Sequence, residues 1–173
     1  MNDDTTVRTA LAARVYAPLR GRGAEGAVGL DWHPLPTMPF RLSVERRLGL
    51  DRAGRDAWSA YAAGGFYAEP RPGAVVDGYA QAGVVGARSR DLFADAALRA
   101  GRRMNLGKAA LVVGGGAWGA AQPGAERLDV GPRVATAVPV MGGTLAVAAE
   151  ARLRVAGQAR PGSSAALTVS VDF

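Results

Sequence analysis

The chain has 173 residues, 49% of them hydrophobic, a formal charge of +6 and no cysteine. That length fits one domain, the apolar content excludes intrinsic disorder, and the lack of thiols excludes disulfides, zinc–thiolate sites and cysteine nucleophiles together. The mean hydropathy is only +0.03, and no apolar run reaches the roughly 18 residues that a membrane helix needs.

Apolar residues are therefore plentiful but dispersed. The longest run, Ala109–Ala121, contains four glycines. The positive charge is carried by arginine, with Lys108 the only lysine. Because the arginines recur through the whole chain instead of clustering, they do not form the basic patch of a nucleic-acid binder. The opening Met1-Asn2-Asp3-Asp4 is acidic and polar, without the basic start and apolar stretch of a signal peptide. An exported protein with this start is expected to be trimmed, or to be the C-terminal part of a longer chain.

The predicted elements are strands, because apolar and polar residues alternate with period two. A helix would spread both sets around its circumference. The first, near 5–18, sets Val7, Thr9, Leu11, Ala13 and Val15 against Arg8, Ala10, Ala12, Arg14 and Tyr16. After the turn Arg20–Gly23 a second runs over 27–34 and ends at Trp32, His33 and Pro34. The third, 40–49, opposes Arg41, Ser43, Glu45 and Arg47 to Phe40, Leu42 and Val44. The fourth, 55–68, carries Phe66 and Tyr67 close to its end. Beyond the turn Pro70–Gly73, the fifth (74–88) sets Asp77, Tyr79 and Gln81 against Val76, Ala80, Ala82 and Val84. The sixth (91–103) sets Phe93, Asp95, Arg99 and Arg103 against Leu92, Ala94, Ala96, Leu98 and Ala100. The seventh (109–122) holds Gly114–Gly116 and Trp118. In the eighth (127–139), Arg127, Asp129 and Arg133 oppose Leu128, Val130, Val134 and Val138. The ninth (143–156) is the cleanest: Leu145, Val147, Ala149, Ala151, Leu153 and Val155 on one face, Glu150, Arg152 and Arg154 on the other. The tenth (164–173) ends Val169, Val171, Phe173 against Ser170 and Asp172.

Strands of this length suit a bilayer, which a tilted strand crosses in about 9–11 residues, whereas soluble strands average about 5–6. An even number returns both ends to one side. The expected fold is all-β: an antiparallel up-and-down transmembrane β-barrel of about ten strands, a single domain over 1–173, or part of a larger barrel. With a periplasmic C-terminus, the turns near 34–39, 70–73, 104–108 and 140–143 are periplasmic and the other connections extracellular. The apolar faces, rich in Ala and Val and poor in the bulky residues of a soluble sandwich core, then meet lipid. The ionic face becomes a lumen track of Glu45, Arg47, Asp77, Asp95, Arg99, Arg103, Arg127, Asp129, Arg133, Glu150, Arg152 and Arg154. Such a face either neutralises itself or guides an anionic or hydroxylated polymer. The aromatics Tyr16, Trp32, Phe66 and Trp118 lie near segment ends and are expected at the membrane–water boundary.

Candidate chemistry is sparse. His33 is the only histidine, at an expected periplasmic strand end and without an orienting acid. Gly114–Gly116 lacks the Lys-Ser/Thr that completes a phosphate loop. No cluster has metal-ligand spacing. No enzymatic activity and no cofactor is expected.

Two features carry a resemblance. The ending Ala165-Leu-Thr-Val-Ser-Val-Asp-Phe173 looks like the terminal signal, closed by Phe173, that the barrel-assembly machinery reads in outer-membrane proteins. The segments Phe40–Arg47, Tyr79–Gly86, Arg90–Asp95, Gly116–Gly124 and Leu128–Pro132 are similar to the C-terminal barrel of the phage-adsorption protein A family. The cellulose-synthase outer-membrane subunit has a related layout. The resemblance runs from about Val28 to Phe173. It implies the outer membrane of a Gram-negative cell and a barrel of about sixteen strands, preceded in the family by periplasmic helical repeats. The function it implies is a non-enzymatic conduit or surface module for exopolysaccharide export. The implied partners are outer-membrane lipid and lipopolysaccharide, the assembly machinery and polysaccharide. A structural or phage-receptor barrel with a filled lumen, and a soluble basic β-protein that binds anionic polymer, are the alternatives.

Overall fold

A computed structural model describes residues 8–16, 24–34, 38–51, 56–86, 90–107, 109–140, 142–160 and 162–172. The expectations for the Tyr16 side chain and for Phe173 lie outside the described residues. The strands are β1 (Arg8–Tyr16), β2 (Glu25–His33), β3 (Phe40–Gly49), β4 (Ala57–Arg71), β5 (Ala74–Val85), β6 (Asp91–Leu106), β7 (Ala109–Gln122), β8 (Ala125–Val140), β9 (Gly143–Gly157) and β10 (Ser164–Asp172). They form one antiparallel up-and-down sheet in sequence order, β1 to β10. Among the described residues there is no helix, and the sheet is not closed: β1 and β10 are its two edges.

The alternation places these strands within a few residues of where the sequence does. Two strands, β4 and β6, run three residues beyond their expected ends, to Arg71 and Leu106. The turn after β4 is only Pro72-Gly73, so Pro70 remains inside the strand. It sits next to the strand end, where a missing N–H costs least. Pro72 fixes its own φ near −65°, and Gly73 takes the positive φ of 75° that a type II turn requires at its next position. Pro123-Gly124 repeats the device between Gln122 and Ala125, with Gly124 at φ 75°. Gly107 at φ 63° ends β6.

The chain divides into two compact units. The first comprises Met1–Gly65 and Ala80–Ala94, the second Phe66–Tyr79 and Asp95–Phe173. In the first, β2, β3 and β4 align Ala27 with Arg47 and Ala57, Gly29 with Glu45 and Ser59, and Asp31 with Ser43 and Tyr61. Its buried residues are Ala27, Ala57 and Tyr61 together with Ser43, Glu45 and Ser59. In the second, β7, β8 and β9 align Trp118 with Asp129 and Arg133 with Glu150. Val75, Ala97, Trp118 and Ala148 are buried there beside Asp129 and Glu150. An extra β9 residue at Val155 shifts the β8–β9 register by one between Leu128 and Asp129.

Small residues set the strand spacing on the ionic face. A Cβ at Gly114 would lie 2.0 Å from the Ala100 carbonyl oxygen and 2.4 Å from the Gly101 Cα, so the backbones of β6 and β7 could not keep their distance. Gly114→Ala is expected to destabilise the folded protein by about 1–3 kcal/mol, the cost of overpacking. Gly119→Ala, whose Cβ would meet only Leu128 Cδ1 at 3.9 Å, should be nearly neutral. Urea unfolding of both variants in detergent micelles checks this; equal midpoints would contradict it.

Candidate functional site

Strands β2 to β6, β8 and β9 each carry charged residues on one face and mostly apolar residues on the other. In the first unit Glu45 is 5% exposed. It faces Gly29 and Ser59 across the two ladders, residues small enough to leave room for a carboxylate. Ser59 Oγ donates to Glu45 Oε1 at 2.9 Å, and Arg47 Nε donates to the same oxygen at 3.1 Å. Ser43 Oγ donates to Asp31 Oδ1 at 2.6 Å, with Arg41 Nε 3.7 Å from Asp31 Oδ2. The Arg47 guanidinium also lies 5.7 Å from the centroid of Phe93, whose ring is 6.2 Å from that of Tyr61.

Among the described residues the second unit holds most of the arginine–carboxylate pairs. Glu150 receives Arg133 Nε at 3.2 Å from the strand directly opposite, and Arg152 Nη2 at 2.6 Å from two residues along its own strand. The Arg152 guanidinium lies 4.8 Å from the centroid of the Trp118 ring. Arg127 Nη2 is 2.6 Å from Asp129 Oδ2, and Asp129 is 1% exposed. Arg99 Nη2 meets Asp77 Oδ2 at 2.6 Å while its guanidinium lies 5.7 Å from the Tyr79 ring centroid. Arg103 bonds Glu69 Oε1 at 2.5 Å and the Tyr67 hydroxyl. Asp95 and Arg154 make polar interactions too, and Arg154 is the register partner of Asp129.

Each of the twelve residues read as a track lies on the ionic face of its own unit. Glu45 and Arg47 meet in the first unit, and the other ten belong to the second. They form local pairs rather than a cationic stripe, so the face is close to electroneutral. Among the described residues no group of histidines or carboxylates is placed to hold a metal ion. His33 ends β2, half-buried.

The apolar face is the exposed one. Leu11 is 78% exposed, Leu92 69% and Leu167 64%. On β4 it begins at Trp58 and ends at Phe66, both more than half exposed, with Ala60, Ala62 and Gly64 between. Those eight residues of rise measure about 26 Å along the strand. Trp32, exposed at the end of β2, lies on the same kind of face. Trp118 does not: it is buried on the ionic face beside Arg152, which corrects its assignment to the boundary aromatics. Two residues missing from the sequence-based set lie near strand ends on the apolar row instead. Trp58 was identifiable as the second residue of a strand whose even positions are apolar. Arg46, opposite it in register, is a charge on an otherwise apolar row.

No family model, no curated protein and no solved structure matches this chain.

Removing Glu150 tests the pairing. Glu150→Leu leaves Arg133 and Arg152 beside an apolar residue and should cost about 3–5 kcal/mol, as for other broken buried pairs. Adding Arg133→Leu and Arg152→Met to that variant should recover most of the loss. Urea midpoints of the two variants give the comparison, and an unchanged Glu150→Leu midpoint would mean the network carries no stability.

Proposed function

We propose that this chain forms the wall of a β-barrel in the outer membrane of a Gram-negative cell, with its apolar face against lipid and its ionic face inward. The observation that supports this best is the reversed burial. Glu45, Asp129 and Glu150 are at most 6% exposed, while Leu11, Leu92, Leu98, Leu153, Leu167 and Val169 are more than half exposed. In water that distribution wastes apolar burial and isolates charge. In lipid around an ionic interior both halves are favourable. The connections fit the same reading. Three of the four expected periplasmic turns leave only two residues between strands, at 72–73, 107–108 and 141–142; on the other side 123–124 is equally short, and the remaining four connections, 17–24, 50–56, 86–90 and 158–163, are longer.

In lipid the edges of β1 and β10 have to be covered, because each orphan backbone group there costs several kcal/mol. Pairing with each other gives a ten-stranded barrel, and pairing with further strands gives one of about sixteen. The resemblance to the phage-adsorption protein A family favours the larger barrel and a non-enzymatic role in exopolysaccharide export. The paired charges add a restriction on cargo. A face whose arginines are matched by carboxylates and flanked by the rings of Tyr61, Phe93, Tyr79 and Trp118 suits a neutral, hydroxylated polymer better than a polyanion. A filled barrel with a structural or phage-receptor role is the second reading, favoured by the depth at which Asp129 and Trp118 are buried.

Planar-bilayer recording of the reconstituted protein tests these readings. Steady conductance, reduced by added neutral oligosaccharide and no more strongly by polyglucuronate, is the expected result. Insertion without conductance supports the filled barrel. A protein that stays soluble and monomeric in water without detergent contradicts the barrel altogether.

A further inference from the structure

The strands of the first unit put one cation where the rest of the row is apolar. Arg46 projects from β3 between Val28 of β2 and Trp58 of β4, its partners in register. Val28, Leu48 and Trp58 around it are 50%, 44% and 55% exposed. The Arg46 guanidinium lies 5.9 Å from the centroid of the Trp58 ring. Among the described residues no carboxylate pairs with it, in contrast to Arg47, which turns to the opposite face and bonds Glu45. The carboxylates that follow β3 are engaged by backbone: Ala24 N–H donates to Asp51 at 3.0 Å and Gly49 N–H to Asp56 at 2.8 Å.

An arginine on a lipid-facing row is costly unless an anion or water meets it. Arg46 stands three residues from the end of β3, about 10 Å along the strand, at the depth where head groups replace acyl chains. That end of the unit is also the basic one. Its connections carry Arg20, Arg22, Arg52, Arg55, Arg88 and Arg90 against Asp51 and Asp56 in sequence, whereas residues 34–39 at the other end contain no charge. An anionic lipid head group fits this setting. Arginine can grip phosphate with two parallel N–H bonds. The indole ring holds the guanidinium flat from one side and itself prefers the boundary. Val28 and, deeper along the same row, Leu30 and Val44 are left to meet the acyl chains.

We propose that Arg46 and Trp58 form a clamp for the phosphate of an outer-leaflet glycolipid of the lipid A type. The inference rests on the barrel reading above and adds to it a specific lipid, a site and a side of the membrane.

The test uses the full chain in detergent micelles, titrated with lipid A and with its dephosphorylated form and followed by native mass spectrometry. The native protein should prefer the phosphorylated lipid by at least about tenfold, the worth of a charge-assisted bond. Arg46→Gln should abolish that preference, and Arg46→Lys should keep part of it. Trp58→Leu should weaken binding by about two- to fivefold, the size of an exposed cation–π contact. Arg102→Gln, on the apolar row near the other end of β6, should leave binding unchanged. Heat-modifiable migration of every variant reports that it is folded. Undiminished preference in folded Arg46→Gln, or no preference in native protein that does insert into phosphatidylcholine vesicles, overturns the clamp and leaves the barrel standing. Failure of the native protein to enter vesicles overturns both.

Discussion

A carboxylate that loses its water must find cations, and Glu150 finds two: Arg133 across the ladder and Arg152 along its own strand. This pairing makes the rest of the arrangement possible. It lets a charged group lie almost fully buried without the penalty of an isolated ion. Glu45 and Asp129 repeat the solution with Arg47 and Arg127, each two residues away on the same strand and so on the same face. Strand geometry supplies both kinds of partner, opposite in register or two positions along. The ionic face therefore holds itself together through neighbours on its own strand and the next, and small residues such as Gly29 and Gly114 let the backbones approach closely enough.

Burying the charges on one face leaves the apolar residues of the same strands on the other. Alanine and valine dominate there, with leucines spaced along β1, β6, β9 and β10. Such a row has little tendency to interdigitate with a second sheet and a strong one to meet a fluid apolar solvent. Its limits are marked chemically. Trp58 and Phe66 bracket the small residues of β4, and the ionisable residues of the described apolar rows, Arg46, Arg102 and Glu126, each lie within a few residues of a strand end.

Much of the fold was legible in the sequence because period-two alternation over nine or more residues has only one backbone solution. The ten strands and the membership of the ionic face follow from it directly. What alternation cannot reveal is depth and partnership. Trp118 is near a strand end in sequence, yet its even position puts it on the ionic face beneath Arg152. Its place was decided by parity and not by distance from the end. Trp58 was overlooked because the fourth segment was assigned limits without faces. Which arginine meets which carboxylate depends on register, and register is set by turns such as Pro72-Gly73 and by the shift at Val155. None of these is visible in hydropathy alone.

The central claim is that the apolar rows face lipid while the ionic rows do not. The chain has no cysteine, so single cysteines can be placed along β9 without further engineering. Nitroxide labels at positions 147 to 154 in vesicles, read for contact with lipid-dissolved oxygen against a water-soluble nickel chelate, test the claim residue by residue. Oxygen contact at 147, 149, 151 and 153 alternating with its loss at 148, 150, 152 and 154 is the predicted result. Uniform water exposure, or the opposite phase, would contradict it.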